Sequence, residues 1–445
     1  MGFQRNASYL LGLRVVTVGA GMVASVVVAR FLGAEGKGIL HLVFLLPRLI
    51  VGFGGLGIRS SAVYFGGRGA DHRRLVRTVF GVGVVLAGVY VAAGLLLRGP
   101  IHATLLQGME SKWVLLSLAL IPVYMFSSCG EGLLQGLHRF GTMTAIQVSS
   151  QLLKVVLLVI LVAWVGGGLA AGMLSYSLVA LLPAVLNLVA VSRHAGGGGR
   201  GVSSREVLGY GLRTHLGTVA QLSNVRIDVF IMNPLVGTAA VGIYSVAAML
   251  ADLVLYVPGA VSQVLFPRVA GSDPRRAAEE TAFLARQTIV LAGVPAVLLG
   301  IAAQWVVVLF FGVEFEGAIR ALWILIPGVI ALSFGLILNQ YLAGTGRPGL
   351  NSIASVISLA LNIPLLLVLV PRFGIYGAAA ASTLAYMLRT GIVTVFYLRR
   401  SGLPASAILV PRPGDFATYR RLADAVLRRR PGRGGPPVPP VDPTF

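Results

Sequence analysis

Leu32-Gly33-Ala34-Glu35-Gly36-Lys37-Gly38-Ile39 and, 204 residues further on, Val236-Gly237-Thr238-Ala239-Ala240-Val241-Gly242-Ile243 decide how this chain folds. Each octapeptide joins two long apolar stretches and places two glycines five residues apart, the second followed by Ile. The correspondence continues outward: Leu120-Ile121-Pro122 pairs with Leu325-Ile326-Pro327 at an offset of 205, and Gly136-Leu137-His138-Arg139 with Gly344-Thr345-Gly346-Arg347 at 208. Matches that keep their order while the offset drifts slowly are the mark of an internal duplication, and a repeat of this length sets the architecture.

Twelve apolar stretches surround these markers, at roughly 9–29, 39–58, 76–97, 113–134, 144–165, 169–191, 207–232, 239–266, 284–312, 321–343, 350–370 and 374–398. About 20 mostly apolar residues suffice to cross the hydrocarbon of a bilayer as a helix. Composition leaves little alternative: 56% of residues are hydrophobic and 11% charged, where a soluble protein carries about 25%. The expected fold is all-α and polytopic, with about twelve transmembrane helices. Six spans per repeat is an even number, so both copies enter the membrane in the same direction, which gives two parallel six-helix bundles. The corresponding division is an N-terminal lobe at 1–192, a basic Gly-rich linker at 193–205, a C-terminal lobe at 206–398 and a basic Pro-rich tail at 399–445. The tail, with Arg428-Arg429-Arg430-Pro431-Gly432-Arg433 and Pro436-Pro437-Val438-Pro439-Pro440, has little to bury and is expected to be disordered.

Lysine and arginine number 36 against 15 acidic residues, a net charge of +21. In a soluble chain this excess points to nucleic acid; here membrane topology accounts for it, and no nucleic-acid partner is expected. Arg5, Arg59, Arg68, Arg73, Arg74, Arg77, Arg139, Arg193, Arg200, Arg205, Arg268, Arg275, Arg276, Arg286, Arg347 and the tail arginines from Arg399 to Arg433 fall on one side. Opposite them stand Arg30, Lys37, Arg98, Lys112, Arg320 and Arg372. A bias of about fourfold toward one side predicts both termini in the cytoplasm and a location in the cytoplasmic membrane. Cys129 is the sole cysteine, so no intramolecular disulfide forms.

Further residues carry a family resemblance. They are Ala29-Arg30-Phe31-Leu32-Gly33-Ala34-Glu35-Gly36-Lys37-Gly38, Asn224-Val225-Arg226-Ile227-Asp228-Val229, Val241-Gly242-Ile243-Tyr244 and Leu265-Phe266-Pro267-Arg268-Val269-Ala270. Tyr341-Leu342-Ala343-Gly344-Thr345-Gly346-Arg347-Pro348 and Pro371-Arg372-Phe373-Gly374-Ile375-Tyr376-Gly377-Ala378-Ala379 complete the series. Over residues 5–400 the chain resembles the O-antigen-type oligosaccharide flippases of the multidrug/oligosaccharidyl-lipid/polysaccharide exporter superfamily. The resemblance implies a V-shaped central cavity between the lobes and a polyprenyl-pyrophosphate-linked glycan as substrate. It also implies membrane lipids as surroundings, and as partners the glycosyltransferases or polymerase of the same pathway.

Ionisable residues inside membrane segments are costly and mark function by default. Here they are Arg14, Arg48, Glu131, Lys154, Arg213, Arg226, Asp228, Asp252 and Arg389. A pyrophosphate needs cations along its path, because guanidinium groups bind phosphate oxygens in a bidentate way. Arg14, Arg48, Lys154 and Arg226 are therefore the expected diphosphate ligands, with Asn224 as a sugar contact. Asp228, Asp252 and Glu131 are the expected ion-coupling carboxylates, structural pairing with an arginine being the alternative. Arg213 and Arg389, near helix ends, are expected to snorkel to the interface.

No catalytic constellation, cofactor motif or metal site is expected: the six histidines are scattered, and no Gly-Lys-Ser/Thr phosphate loop occurs. A drug/cation antiporter of the same superfamily remains a rival, although cationic cargo calls for an acidic cavity. A sugar carrier of the major-facilitator type is another, faintly echoed in Gly66-Gly67-Arg68-Gly69-Ala70-Asp71-His72-Arg73-Arg74. A membrane-embedded glycan polymerase or ligase needs large polar loops, which this chain lacks.

Overall fold

The computed structural model describes the backbone of residues 2–194, 198 and 200–410. Within that range it describes the side chains from residue 16 onward except 194, 213–214, 216–218, 220–225 and 267. Every regular element among the described residues is helical. The first half comprises α1 (Gly2–Gly54), α2 (Ile58–Gly67), α3 (His72–Leu96), α4 (Arg98–Thr104), α5 (Ser111–Ala119), α6 (Ile121–Gly136), α7 (Phe140–Leu157), which ends in a π-helical turn, and α8 (Gly168–His194). The second comprises α9 (Ser204–Val254), α10 (Tyr256–Gly271), α11 (Pro274–Val306), α12 (Gly317–Gly344), α13 (Gly349–Ser401) and the short α14 (Ser406–Leu409).

Nine helices among the described residues are long and apolar enough to cross a membrane. Three of them are broken by one residue each, at Gly33 (φ 65°), Gly237 (φ 83°) and Gly374 (φ 56°). A positive φ is cheap only for glycine, so the helix stops and restarts within a single peptide unit. Gly33 and Gly237 are the duplicated glycines of the sequence. The order of elements repeats with them: the part of α1 beyond Gly33 leads into α2 and α3, as the part of α9 beyond Gly237 leads into α10 and α11. Side chains such as Val85, Leu96, Ile301 and Leu309 point outward and are more than half exposed, which suits a lipid solvent where every backbone group is bonded within its helix.

One apolar cluster draws only on residues between Val51 and Val207, a second only on residues between Leu265 and Ile408. A third, from Ala24 to Tyr386, joins both halves. At its centre the duplicated segments meet each other. A Cβ at Gly38 lies 1.9 Å from the Thr238 carbonyl oxygen, and one at Gly242 lies 1.9 Å from that of Ala34. The glycines thus allow a reciprocal backbone-to-backbone crossing at the arginine-poor end. Next to it Arg30 donates to the Phe310 carbonyl at 2.9 Å and to that of Leu309, and Glu314 accepts from the Ala34 amide at 3.0 Å. At the arginine-rich end the halves also touch: Ser61 donates to the Val207 carbonyl at 2.6 Å, and Tyr64 stacks on Tyr210 with centroids 4.1 Å apart.

The loops at the arginine-rich end are capped by carboxylates outside the spans. Asp71 accepts from the Arg74 amide at 3.1 Å at the start of α3, and Ser203 with Glu206 forms a capping box at the start of α9. The backbone hydrogen bond from Arg74 holds the Asp71 carboxyl below its ordinary range; the bond from the Ser203 amide does the same for Glu206. Two expectations are corrected. Lys37 is not in a loop: the helix has already resumed at Ala34, and Lys37 is buried within the bundle. Arg389 does not snorkel; it is buried inside the second half, donating to Ser355 Oγ at 3.1 Å and Asn351 Oδ1 at 2.8 Å. Hydrogen-bonding partners on the same broken helix make burial cheaper than reaching the interface.

Candidate functional site

Two adjoining cavities occupy the middle of the protein, of about 600 and about 400 Å³. They share Arg48, Lys154 and Tyr176 as walls. Because α1 resumes at Ala34, Lys37, His41 and Arg48 are spaced four and seven residues apart on one continuous helix. That spacing puts all three on one face, and all three line the smaller cavity. Across it stand Arg226 and Asp228 of α9, with Tyr244 and Asp252 beyond the Gly237 break.

The cations differ in their partners. Arg226 donates to Asp252 at 3.0 Å, both side chains about one-third exposed. Lys37 donates to Ser25 Oγ at 2.5 Å. Arg48 lies 5.2 Å from the centroid of the Tyr124 ring, and Lys154 5.5 Å from that of Tyr176. Among the described residues neither Arg48 nor Lys154 has a carboxylate within ion-pair distance. An aromatic face offsets part of the desolvation of a cation, and a carboxylate-free pair of cations leaves uncompensated positive charge on this cavity wall.

The carboxylates are differently engaged. Asp228 is buried and accepts from Tyr244 Oη at 2.7 Å, the Val229 amide at 2.8 Å and Ser382 Oγ at 3.3 Å. Glu131 is paired with Arg59 at 3.0 Å and also accepts from Gln147. So of the residues picked from sequence, Arg48, Lys154, Arg226, Asp228 and Asp252 come together on the smaller cavity, and Glu131 lies on the larger. The side chains of Arg14 and Asn224 lie outside the described residues. Sequence reasoning missed Lys37, His41, Tyr124 and Tyr176. The helical spacing of Lys37, His41 and Arg48 was the signal for the first two, hidden by reading the glycine-rich octapeptide as a loop.

The arrangement can hold an anionic group between helices of both halves. Comparison with known proteins places it in context. The model of a family described as polysaccharide biosynthesis protein matches residues 3–272. The chain is 26% identical over 394 residues to the probable low-salt glycan biosynthesis flippase Agl15 of Haloferax volcanii, covering 81% of this chain and 76% of that protein. Its fold is similar to that of the lipid II flippase MurJ in an inward closed conformation, with a TM-score of 0.71 at 12% identity over 94% of this chain and 96% of MurJ. It is also similar to an inward-facing multidrug resistance MATE family transporter, with a TM-score of 0.67 at 17% identity over 87% of this chain and 94% of that one. The chain is a multi-pass membrane protein of this transporter fold, so the major-facilitator reading falls away.

Proposed function

The chain belongs to the polysaccharide biosynthesis protein family, and from that premise we propose that it flips a polyprenyl-pyrophosphate-linked oligosaccharide across the cytoplasmic membrane. The observation that carries this reading is the carboxylate-free cation pair, Arg48 and Lys154, shared by the two central cavities. A diphosphate is the part of such a substrate that hydrocarbon resists most strongly, and fixed cations replace its water. Arg226, Arg14 and Lys37 extend the positive path, and Asn224 contacts sugar. Similarity to the probable low-salt glycan biosynthesis flippase of Haloferax volcanii supports the substrate class.

In this proposal the three glycine breaks divide the nine apolar helices into twelve spans. They form lobes at 1–192 and 206–398, joined by a linker at 193–205 and followed by a tail from 399 that rests near glycan-assembling enzymes. Parting of the halves at the Gly38–Gly242 crossing, alternating with parting at the arginine-rich end, exposes the cavities to each side in turn. The arginine-rich end and both termini face the cytoplasm. All four tryptophans, Trp113, Trp164, Trp305 and Trp323, lie within two turns of the arginine-poor ends of their helices, where an interfacial belt belongs. Asp228 is the strongest ion-coupling group, because Glu131 and Asp252 are already held by arginines. No step of this transport makes or breaks a covalent bond, so the protein acts as a transporter, not an enzyme. The excess of cations over free carboxylates disfavours the drug/cation antiporter.

The test is flipping of a fluorescent polyprenyl-pyrophosphate-linked oligosaccharide in proteoliposomes, scored by quenching of the outer leaflet. Arg48→Ala combined with Lys154→Ala is expected to abolish flipping while leaving insertion and folding intact. Wild-type rates in that double variant overturn the reading.

A further inference from the structure

The two cavities differ in chemistry beyond their shared wall. Around the smaller stand Lys37, His41, Arg226 and Asp252; around the larger stand Ser127, Ser128, Gln147, Ser150 and Gln151, with Tyr124 beside them. Nearly all of the larger cavity's wall comes from α1, α2, α6, α7 and α8, so it belongs to one half of the molecule. Among the described residues its charged side chains apart from the shared cations are Arg59 and Glu131, which neutralise each other at 3.0 Å. The other polar groups described there are hydroxyls, carboxamides, the Cys129 thiol and the His215 imidazole, which is bonded to the Phe53 carbonyl.

We infer that this larger compartment is a sugar-selecting subsite, in which Gln147 and Gln151 on α7 read the hydroxyl or N-acetyl groups of the glycan's first residues while the diphosphate sits at its mouth on Arg48 and Lys154. The inference rests on the flippase reading above and adds to it where the specificity resides. Four observations carry it. A carboxamide both donates and accepts, as a sugar hydroxyl does, so Gln side chains match either partner. Gln151 Oε1 is buried with no hydrogen-bond partner, and an orphaned buried acceptor is a cost that a ligand donor removes. Tyr124 and Tyr176 supply aromatic faces on the same wall, against which the C–H face of a pyranose packs. The volume of about 600 Å³ falls within the range of about 300–1,000 Å³ for small-molecule sites, enough for the proximal sugars and too small for a long glycan.

The corresponding stretch of the second half is the first part of α13. Along α13, Ser358 donates to the Ala385 carbonyl at 2.7 Å and Ser355 accepts from the buried Arg389 at 3.1 Å. Asn362 of the same helix is buried with neither carboxamide atom hydrogen-bonded among the described residues, whereas Gln147 and Gln151 of α7 line a cavity.

The experiment is equilibrium binding to the purified full chain in nanodiscs with two probes, polyprenyl pyrophosphate and polyprenyl pyrophosphate bearing one N-acetylhexosamine. Gln147→Leu with Gln151→Leu is expected to weaken the glycosylated probe by about tenfold to a hundredfold, the value of two hydrogen bonds, and to leave the sugar-free probe unchanged. Arg48→Ala with Lys154→Ala is expected to lose both probes. Equal loss of both probes in the glutamine variant, or loss of neither, overturns the subsite while leaving the flippase reading intact. Undiminished binding in the cation variant overturns the diphosphate seat instead. Gln151→Met, close in volume and flexible, repeats the test if the double leucine variant fails to fold.

Discussion

Replacing Gly38 by alanine tests the crossing that closes the arginine-poor end. The new Cβ would stand 1.9 Å from the Thr238 carbonyl oxygen and 3.0 Å from the Gly242 amide nitrogen. The first is backbone, so no side chain swings away to relieve it; the two helices must separate by about 1.5 Å to restore an ordinary contact. Overpacking of this kind costs about 1–3 kcal/mol. Alternating access opens this crossing in the other state, where the methyl group costs nothing. The closed-to-open ratio therefore falls by about fivefold to 150-fold. Spin labels at Glu35→Cys and Ala239→Cys, both on exposed positions flanking the crossing, read the separation by double electron–electron resonance. The native Cys129 is buried and leaves the background low. A distance distribution shifted to longer values in Gly38→Ala, and likewise in Gly242→Ala, is the expected result. An unchanged distribution with unchanged flipping refutes the idea that this crossing is a gate.

Arg30→Ala removes the donor to the carbonyls of residues 308–310, and is expected to shift the same distribution in the same direction by about 1 kcal/mol, its side chain being exposed. Arg389→Leu removes the buried donor to Asn351 Oδ1 and Ser355 Oγ; a loss of about 2–4 kcal/mol, read as a lowered Tm in detergent, is expected with little change in binding of the polyprenyl pyrophosphate. Asp71 and Glu206 have folded-state pKa values below their unfolded ones, so their stabilisation is present above the ordinary carboxylate range and vanishes as pH falls through the depressed values. Asp71→Asn with Glu206→Gln is therefore expected to flatten the acid limb of a Tm-versus-pH curve; an unaltered limb contradicts it.

The duplication and the membrane-spanning helices were legible because periodic glycines and long apolar runs are local signals. The octapeptide 32–39 was legible as a junction and illegible as a one-residue break, since composition does not distinguish a glycine-rich loop from a helix whose glycines permit a crossing. Lys37 and His41 were lost with that misreading. Arg48, Lys154 and Arg226 stood out because a cation in an apolar run is rare. Their partners did not: the pairing of Arg226 with Asp252, 26 residues away, and the burial of Arg389 follow from tertiary packing. The uncharged wall made by Gln147, Gln151 and the serines was invisible for a different reason, since polar uncharged residues in spans usually bond neighbouring helices.

The most direct test of the central claim is a structure of the protein with polyprenyl pyrophosphate bound. Diphosphate oxygens within about 2.7–3.2 Å of the Arg48 guanidinium and the Lys154 ammonium, between the two halves, are the predicted result. A diphosphate seated elsewhere, with those two cations still resting on Tyr124 and Tyr176, would contradict it.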